Sequence, residues 1–172
     1  VKDSAGSAAI SADLSQFTGS IDVNGGTLTL GTTVRGRITV DNGTLNLTTA
    51  SLTGSLSLLV GSELEVQATQ TVNLQTASTI TPGARVVVNG TLLLSTADSL
   101  ADSTDPTRRA DVIDGGTVEV TLGNKTAGNV TGSGNLLVDA GASLSVNKLS
   151  LISNVSSSLD VSGTLVLGPD GP

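Results

Sequence analysis

A five-residue phrase restricts this chain's fold more than any other feature. It runs glycine, small polar residue, aliphatic residue, any residue, aliphatic residue. It reads Gly19-Ser-Ile-Asp-Val23, Gly26-Thr-Leu-Thr-Leu30, Gly36-Arg-Ile-Thr-Val40, Gly43-Thr-Leu-Asn-Leu47 and Gly54-Ser-Leu-Ser-Leu58. It returns as Gly90-Thr-Leu-Leu-Leu94, Gly116-Thr-Val-Glu-Val120, Gly134-Asn-Leu-Leu-Val138 and Gly163-Thr-Leu-Val-Leu167. Copies one residue longer begin at Gly61, Gly83 and Gly141. Glycines pair seven residues apart, as at Gly19 and Gly26, Gly36 and Gly43, and Gly54 and Gly61. Equivalent pairs recur after 17 residues (Gly19 to Gly36) and 18 residues (Gly36 to Gly54). A period this short does not fit a helical repeat hairpin. It fits one turn of a β-solenoid, with short strands joined by tight corners.

The local chemistry agrees. Leu28 and Leu30, or Leu45 and Leu47, alternate onto one face of a strand, and Thr29 and Asn46 onto the other. Asn-Gly at 24–25, 42–43 and 89–90 and Gly-Gly at 25–26 and 115–116 are turn signals. In a hairpin protein they would reverse the chain; the paired spacing makes them corners, and disfavours an antiparallel sandwich. The predicted fold class is therefore all-β, a parallel β-solenoid with turns of about 17–18 residues over 19–167. At the spacing of paired strands, seven to nine turns would form a rod on the order of 35–45 Å long. Such a fold is a sum of neighbour contacts, because no turn buries its own aliphatic face.

Two stretches break the rhythm. Residues 95–114 are polar, hold five of the twelve Asp residues, and predict a loop or short helix leaving one corner. Residues 1–18 carry Ile10, Leu14 and Phe17 at a weak helical spacing. They are a capping helix, an extra strand over the first turn, or a segment exchanged with a neighbour, and so the candidate assembly segment. The tail 168–172 reads as a linker. An opening Val1 is what removal of a signal peptide or pro-segment leaves.

Composition narrows the function. Apolar residues are 37% of the chain, yet Phe17 is its one aromatic, and it has no Cys, Met, Trp or Tyr. A sandwich core usually needs larger side chains; a narrow stack of Val, Leu and Ile does not. With neither His nor Cys, the Ser/His and Cys/His nucleophile pairs and imidazole or thiolate metal ligation are excluded. The net charge of −7, with eight scattered basic residues, argues against nucleic acid. No apolar run approaches the ~18 residues of a membrane helix. No cofactor is expected.

The remaining candidates each have a plainer reading. Glu63 and Glu65 form a potential carboxylate pair for sugar cleavage, but they alternate onto an outward strand face as solvated charges do. Asp98, Asp102 and Asp105, with Asp111 and Asp114, offer oxygen ligands to calcium, though their spacing fits neither an EF-hand nor the glycine-rich calcium repeat. Asn42, Asn46, Asn89, Asn124, Asn129 and Asn154 begin glycosylation sequons in a Ser/Thr-rich chain. Thr27/Thr29, Thr69/Thr71 and Thr79/Thr81 are Thr-X-Thr pairs, which bind ice only if they stack in register on successive turns.

Phrases such as Asn24-Gly-Gly-Thr-Leu-Thr-Leu30, Asn42-Gly-Thr-Leu-Asn-Leu47 and 82–94 resemble the repeats of bacterial autotransporter passenger domains and related secreted adhesins, over roughly 19–94 and 115–167. A weaker likeness is to bactofilins, cytoskeletal β-helices that polymerise end to end. The resemblance implies a right-handed parallel β-helix, displayed at the cell surface or secreted. It carries no catalytic residue. The expectation is a non-enzymatic structural subunit that pairs with itself into a filament, sheath or matrix. The alternative is an adhesin passenger holding a host or surface glycan or protein on a flank or in the 95–114 loop. An ice-binding protein and a polysaccharide-degrading enzyme stand behind these.

Overall fold

The computed structural model describes residues 1, 5–48, 50–95, 98–152 and 157–168. Among them there is no helix. The strands in chain order are β1 (Ser7–Ile10), β2 (Ser20–Val23), β3 (Gly26–Leu30), β4 (Arg37–Val40), β5 (Gly43–Leu47), β6 (Ala50–Leu52) and β7 (Leu56–Leu58). They continue with β8 (Glu63–Val66), β9 (Thr71–Leu74), β10 (Ser78–Ile80), β11 (Arg85–Val88), β12 (Thr91–Leu94) and β13 (Asp111–Asp114). The last are β14 (Thr117–Val120), β15 (Gly123–Gly132), β16 (Asn135–Val138), β17 (Ala142–Leu151), β18 (Ser158–Val161) and β19 (Thr164–Leu167).

Every paired strand is parallel to its neighbour, and no neighbours in a sheet are consecutive in the chain. The result is a β-solenoid of about eight turns. It has three sides, where the seven-residue rhythm marks only two. One side holds β2, β4, β7 and β10; the next begins with β1, β3, β5, β8, β11 and β13; the third holds β6, β9, β12, β14, β16 and β18. In the early turns the third side is reduced to single bridges, Leu14 to Val34 and Val34 to Leu52, so the phrase has no copy there. Near the C-terminal end β15 and β17 each run along two sides without a break. Their backbone pairing passes over the corner at Gly128 and Asn147.

Turn length varies. Paired residues are 17 apart at Ser20 and Arg37 and 18 apart at Ile38 and Leu56. They are 22 apart at Glu63 and Arg85, 26 apart at Arg85 and Asp111, and 18 apart again at Val112 and Val130. The 17–18-residue turn is the shortest circuit; longer turns carry their excess at corners. Glycines at those corners take backbone shapes that a Cβ disfavours, such as Gly61 (φ 70°) and Gly141 (φ 82°).

The core is a set of columns parallel to the rod. Leu28, Leu45, Leu64, Val86, Val112 and Val130 stack in one. All six are buried. The adjacent column reads Leu30, Leu47, Val66, Val88 and then Asp114, with Gly132 beyond it. Each residue gains its burial from the turns before and after.

Both atypical stretches belong to the solenoid. Residues 7–10 form a strand and not a helix: Ile10 stacks on Leu30, and Leu14 bridges to Val34. The spacing of Ile10, Leu14 and Phe17 is set by a corner. In the 95–114 stretch, Asp111–Asp114 is a sheet strand, and Asp102 bridges to Ser78 on the side of β10. Leu100, Ala101 and Asp102 are buried, so the insertion folds inward before it leaves the surface.

Candidate functional site

The two ends of the rod differ. At the C-terminal end, β18 pairs only with β16, β19 only with β17, and residues 148–151 of β17 only with β15, leaving three strand edges with no further neighbour among the described residues. Their inward side chains are uncovered. Leu159 is 49% exposed, whereas Leu136, its equivalent one turn earlier, is 0% exposed. Val161 is 37% exposed against 1% for Val138, and Leu167 is 39% exposed against 0% for Val146. A hollow of ≈ 330 Å³ opens here, lined by Leu149, Leu151, Ser157, Ser158 and Leu159. At the N-terminal end β1 pairs only with β3 and β2 only with β4. At this end Ile10, Leu14 and Phe17 are partly buried against the core. The Phe17 ring lies over Gly19 and Gly36, where a Cβ on either glycine would come within 2.7 Å of it. A hollow of ≈ 160 Å³ is lined by Val1, Ala8, Ile10, Ile21, Asp22 and Leu28.

The acidic residues singled out in the sequence do not converge. Among the described residues no three Asp or Glu side chains are placed together to hold a metal ion, Asp98, Asp102 and Asp105 included. The reason is that each carboxylate meets hydrogen-bond donors of its own. Asp98 accepts from the Thr126 amide (3.0 Å) and hydroxyl (2.5 Å). Asp102 accepts from the amides of Ile80 (2.9 Å), Thr104 (2.7 Å) and Asp105 (3.0 Å) and from the Thr104 hydroxyl (2.6 Å). These bonds, the Thr104 hydroxyl foremost, pull its pKa down to about 2. Asp105 accepts from the Thr107 hydroxyl (2.6 Å) and amide (3.1 Å), which lower its pKa too. Asp111 accepts from the Asn129 amide at 2.7 Å.

Asp114 is the exception. It is fully buried in an aliphatic column. One carboxyl oxygen accepts from the Gly116 amide at 3.1 Å, and Oδ2 has no partner among the described residues. Burial pushes its pKa up to about 6. Lys125, in the first half of β15, is also buried, its Nζ donating to the Leu122 carbonyl at 2.6 Å. Burial lowers its pKa, and Asp98 partly opposes the shift. Neither interior group was legible as such, because nothing in Asp-Gly-Gly or Asn-Lys-Thr marks a side chain as inward.

The sequons divide. Asn42, Asn89 and Asn124 are exposed and Asn129 is half-buried. Asn46 is only 9% exposed. Asn154 lies outside the described residues. The three Thr-X-Thr pairs fall on three different sides: Thr27/Thr29 on β3, Thr69/Thr71 at the start of β9, and Thr79/Thr81 at β10. They build no Thr-X-Thr face. Glu63 and Glu65 do share an outward face, but Glu63 is ion-paired with Arg85 at 3.1 Å and Glu65 accepts from Asn89 at 3.2 Å.

No family model, curated protein or solved structure matches this chain.

Proposed function

We propose that this chain is a structural subunit that stacks end to end on copies of itself, building a filament, sheath or matrix outside the cell. The observation that carries this reading is the open C-terminal turn: Leu159, Val161 and Leu167 present aliphatic surface that the preceding turn keeps dry. The two ends are compatible in kind. All strands run in one sense, so β1 of a second copy continues the ladder beyond residues 148–151 of β17, and β2 continues it beyond β19, with no change of direction. A head-to-tail contact of this type does not close, which makes a fibre and not a ring. Ile10, Leu14 and Phe17 meet the hollow at Leu149 and Leu151 in such a joint. The role is non-enzymatic, and the likeness to secreted adhesin repeats and to end-to-end β-helices supports both the setting and the mode of growth.

Negative-stain electron microscopy with mass photometry over a dilution series tests it. Wild-type protein should form rods that lengthen with concentration. Leu159→Lys with Leu167→Lys, at already exposed positions, should stop growth at one copy. A wild-type monomer at every concentration overturns self-assembly and leaves the adhesin passenger as the working alternative.

A further inference from the structure

Over the first three turns, one corner of the rod gathers positive charge in an acidic protein. Gly19, Gly36 and Gly54 stack there on successive turns. The stack tolerates no side chain: a Cβ on Gly36 would lie 2.4 Å from the Gly19 carbonyl oxygen, and one on Gly54 would lie 2.0 Å from that of Gly36. The backbones therefore close in and leave a shallow cleft of ≈ 520 Å³ beside them. Its lining is Thr18, Gly19, Ser20, Arg35, Arg37 and Ser55. It contains two guanidinium groups, three hydroxyls and no carboxylate.

Both arginines are exposed, and neither has an ion-pair partner among the described residues. That sets them apart from Arg85 and Arg108, which meet Glu63 and Asp105, and from Arg109, which donates to the Pro106 and Asn147 oxygens. A pair of unpaired guanidinium forks is suited to a planar carboxylate or a sulfate ester, which each fork can grip through two N–H donors. The hydroxyls of Thr18, Ser20 and Ser55 add partners that give and accept hydrogen bonds, as the hydroxyls of a sugar require.

We propose that the Arg35–Arg37 cleft binds an acidic polysaccharide, gripping one sulfate or carboxylate between the two guanidinium groups while neighbouring sugar hydroxyls meet Thr18, Ser20 and Ser55. A polynucleotide carries anions too, but no aromatic side chain lines the cleft to stack a base. The proposal does not depend on end-to-end stacking, since a single copy supplies every lining residue of the cleft.

The experiment is calorimetric titration of the full chain at low ionic strength with a sulfated hexasaccharide, inorganic sulfate, and a single-stranded DNA of equal charge. The hexasaccharide should bind, at least tenfold more tightly than sulfate or DNA, and weaken as salt is raised. Arg35→Ala with Arg37→Ala should lose at least tenfold in affinity at unchanged far-ultraviolet circular dichroism. Arg85→Ala, exposed but outside the cleft, should bind as wild type. Lysine at both positions keeps the charge without the fork and should fall between. No hexasaccharide binding, equal binding by the double alanine variant, equal affinity for free sulfate, or equal affinity for DNA would each overturn the proposal.

Discussion

The early turns and the middle turns of this rod use the same fold with different interiors. From Ile21 to Val66, the inward columns are aliphatic throughout: Leu28, Leu45 and Leu64 in one, Leu30, Leu47 and Val66 in the next, Ile21, Ile38 and Leu56 in the third. Between Ser78 and Lys125 the same columns admit polar groups. Leu56 is followed by Ser78 and then Asp102; Val88 is followed by Asp114. A parallel solenoid thus tolerates a carboxylate on its axis when that carboxylate does local work, as Asp102 does for four donors. Asp114 shows the opposite case, a carboxyl with one donor and an unsatisfied oxygen. The two aspartates should respond to acid in opposite directions.

The sharpest way to break the contrast is to damage the aliphatic turns. Leu45 is fully buried between Leu28 and Leu64, and Leu45→Ala should cost about 3 kcal/mol in urea unfolding, with no dependence on pH between 4 and 7. The next effect belongs to Asp114, whose carboxyl ionises near 3.8 when unfolded and near 6 when folded. Its contribution is whole below 3.8. Between these values only the unfolded chain gains by ionising, so stability should fall by about 3 kcal/mol as pH rises from 4 to above 6. Asp114→Asn should flatten that slope; an unchanged slope would show that the carboxyl is not neutral in the folded state.

Asp102 works the other way. Its folded pKa is lowered, so its stabilisation is present above 3.8 and lost as pH falls toward 2. Asp102→Ala should cost about 2 kcal/mol at pH 6, the value of hydrogen bonds to a charged acceptor, and should remove the acid-side loss. The smallest effect is at the surface. Arg85 and Glu63 are paired but partly exposed, and Arg85→Ala should change stability by less than about 0.5 kcal/mol. A larger change would mean that outward ladders, and not only inward columns, hold the turns in register.

Much of this architecture was legible because the repeat is local. Strand, corner and parallel stacking all follow from the Gly-X-aliphatic-X-aliphatic phrase and its recurrence from Gly19 to Gly54. The third side was not, since Val34 and Leu52 sit there without a glycine or an alternating partner to mark them. Nor was the inward turn of Asp102, Asp114 and Lys125. A charged residue in a polar stretch reads as solvated, and only the register across turns reveals which way it points. The candidate joint was half legible: Ile10, Leu14 and Phe17 stand out at one end, but the exposure of Leu159 depends on what stacks above it. The Arg35–Arg37 cleft was hidden for a related reason. Its hydroxyls come from neighbouring turns, 17 and 18 residues away along the chain, at Ser20 and Ser55.

Phe17, wedged over Gly19 and Gly36, also makes the molecule optically unusual. With no tryptophan or tyrosine, the chain is nearly silent in the near ultraviolet, and concentration must be measured through the peptide bond or refractive index. The same poverty turns one ring into a clean local signal. Any fine structure in the phenylalanine band comes from the N-terminal corner alone, so fraying or docking at that end can be followed without introducing a label.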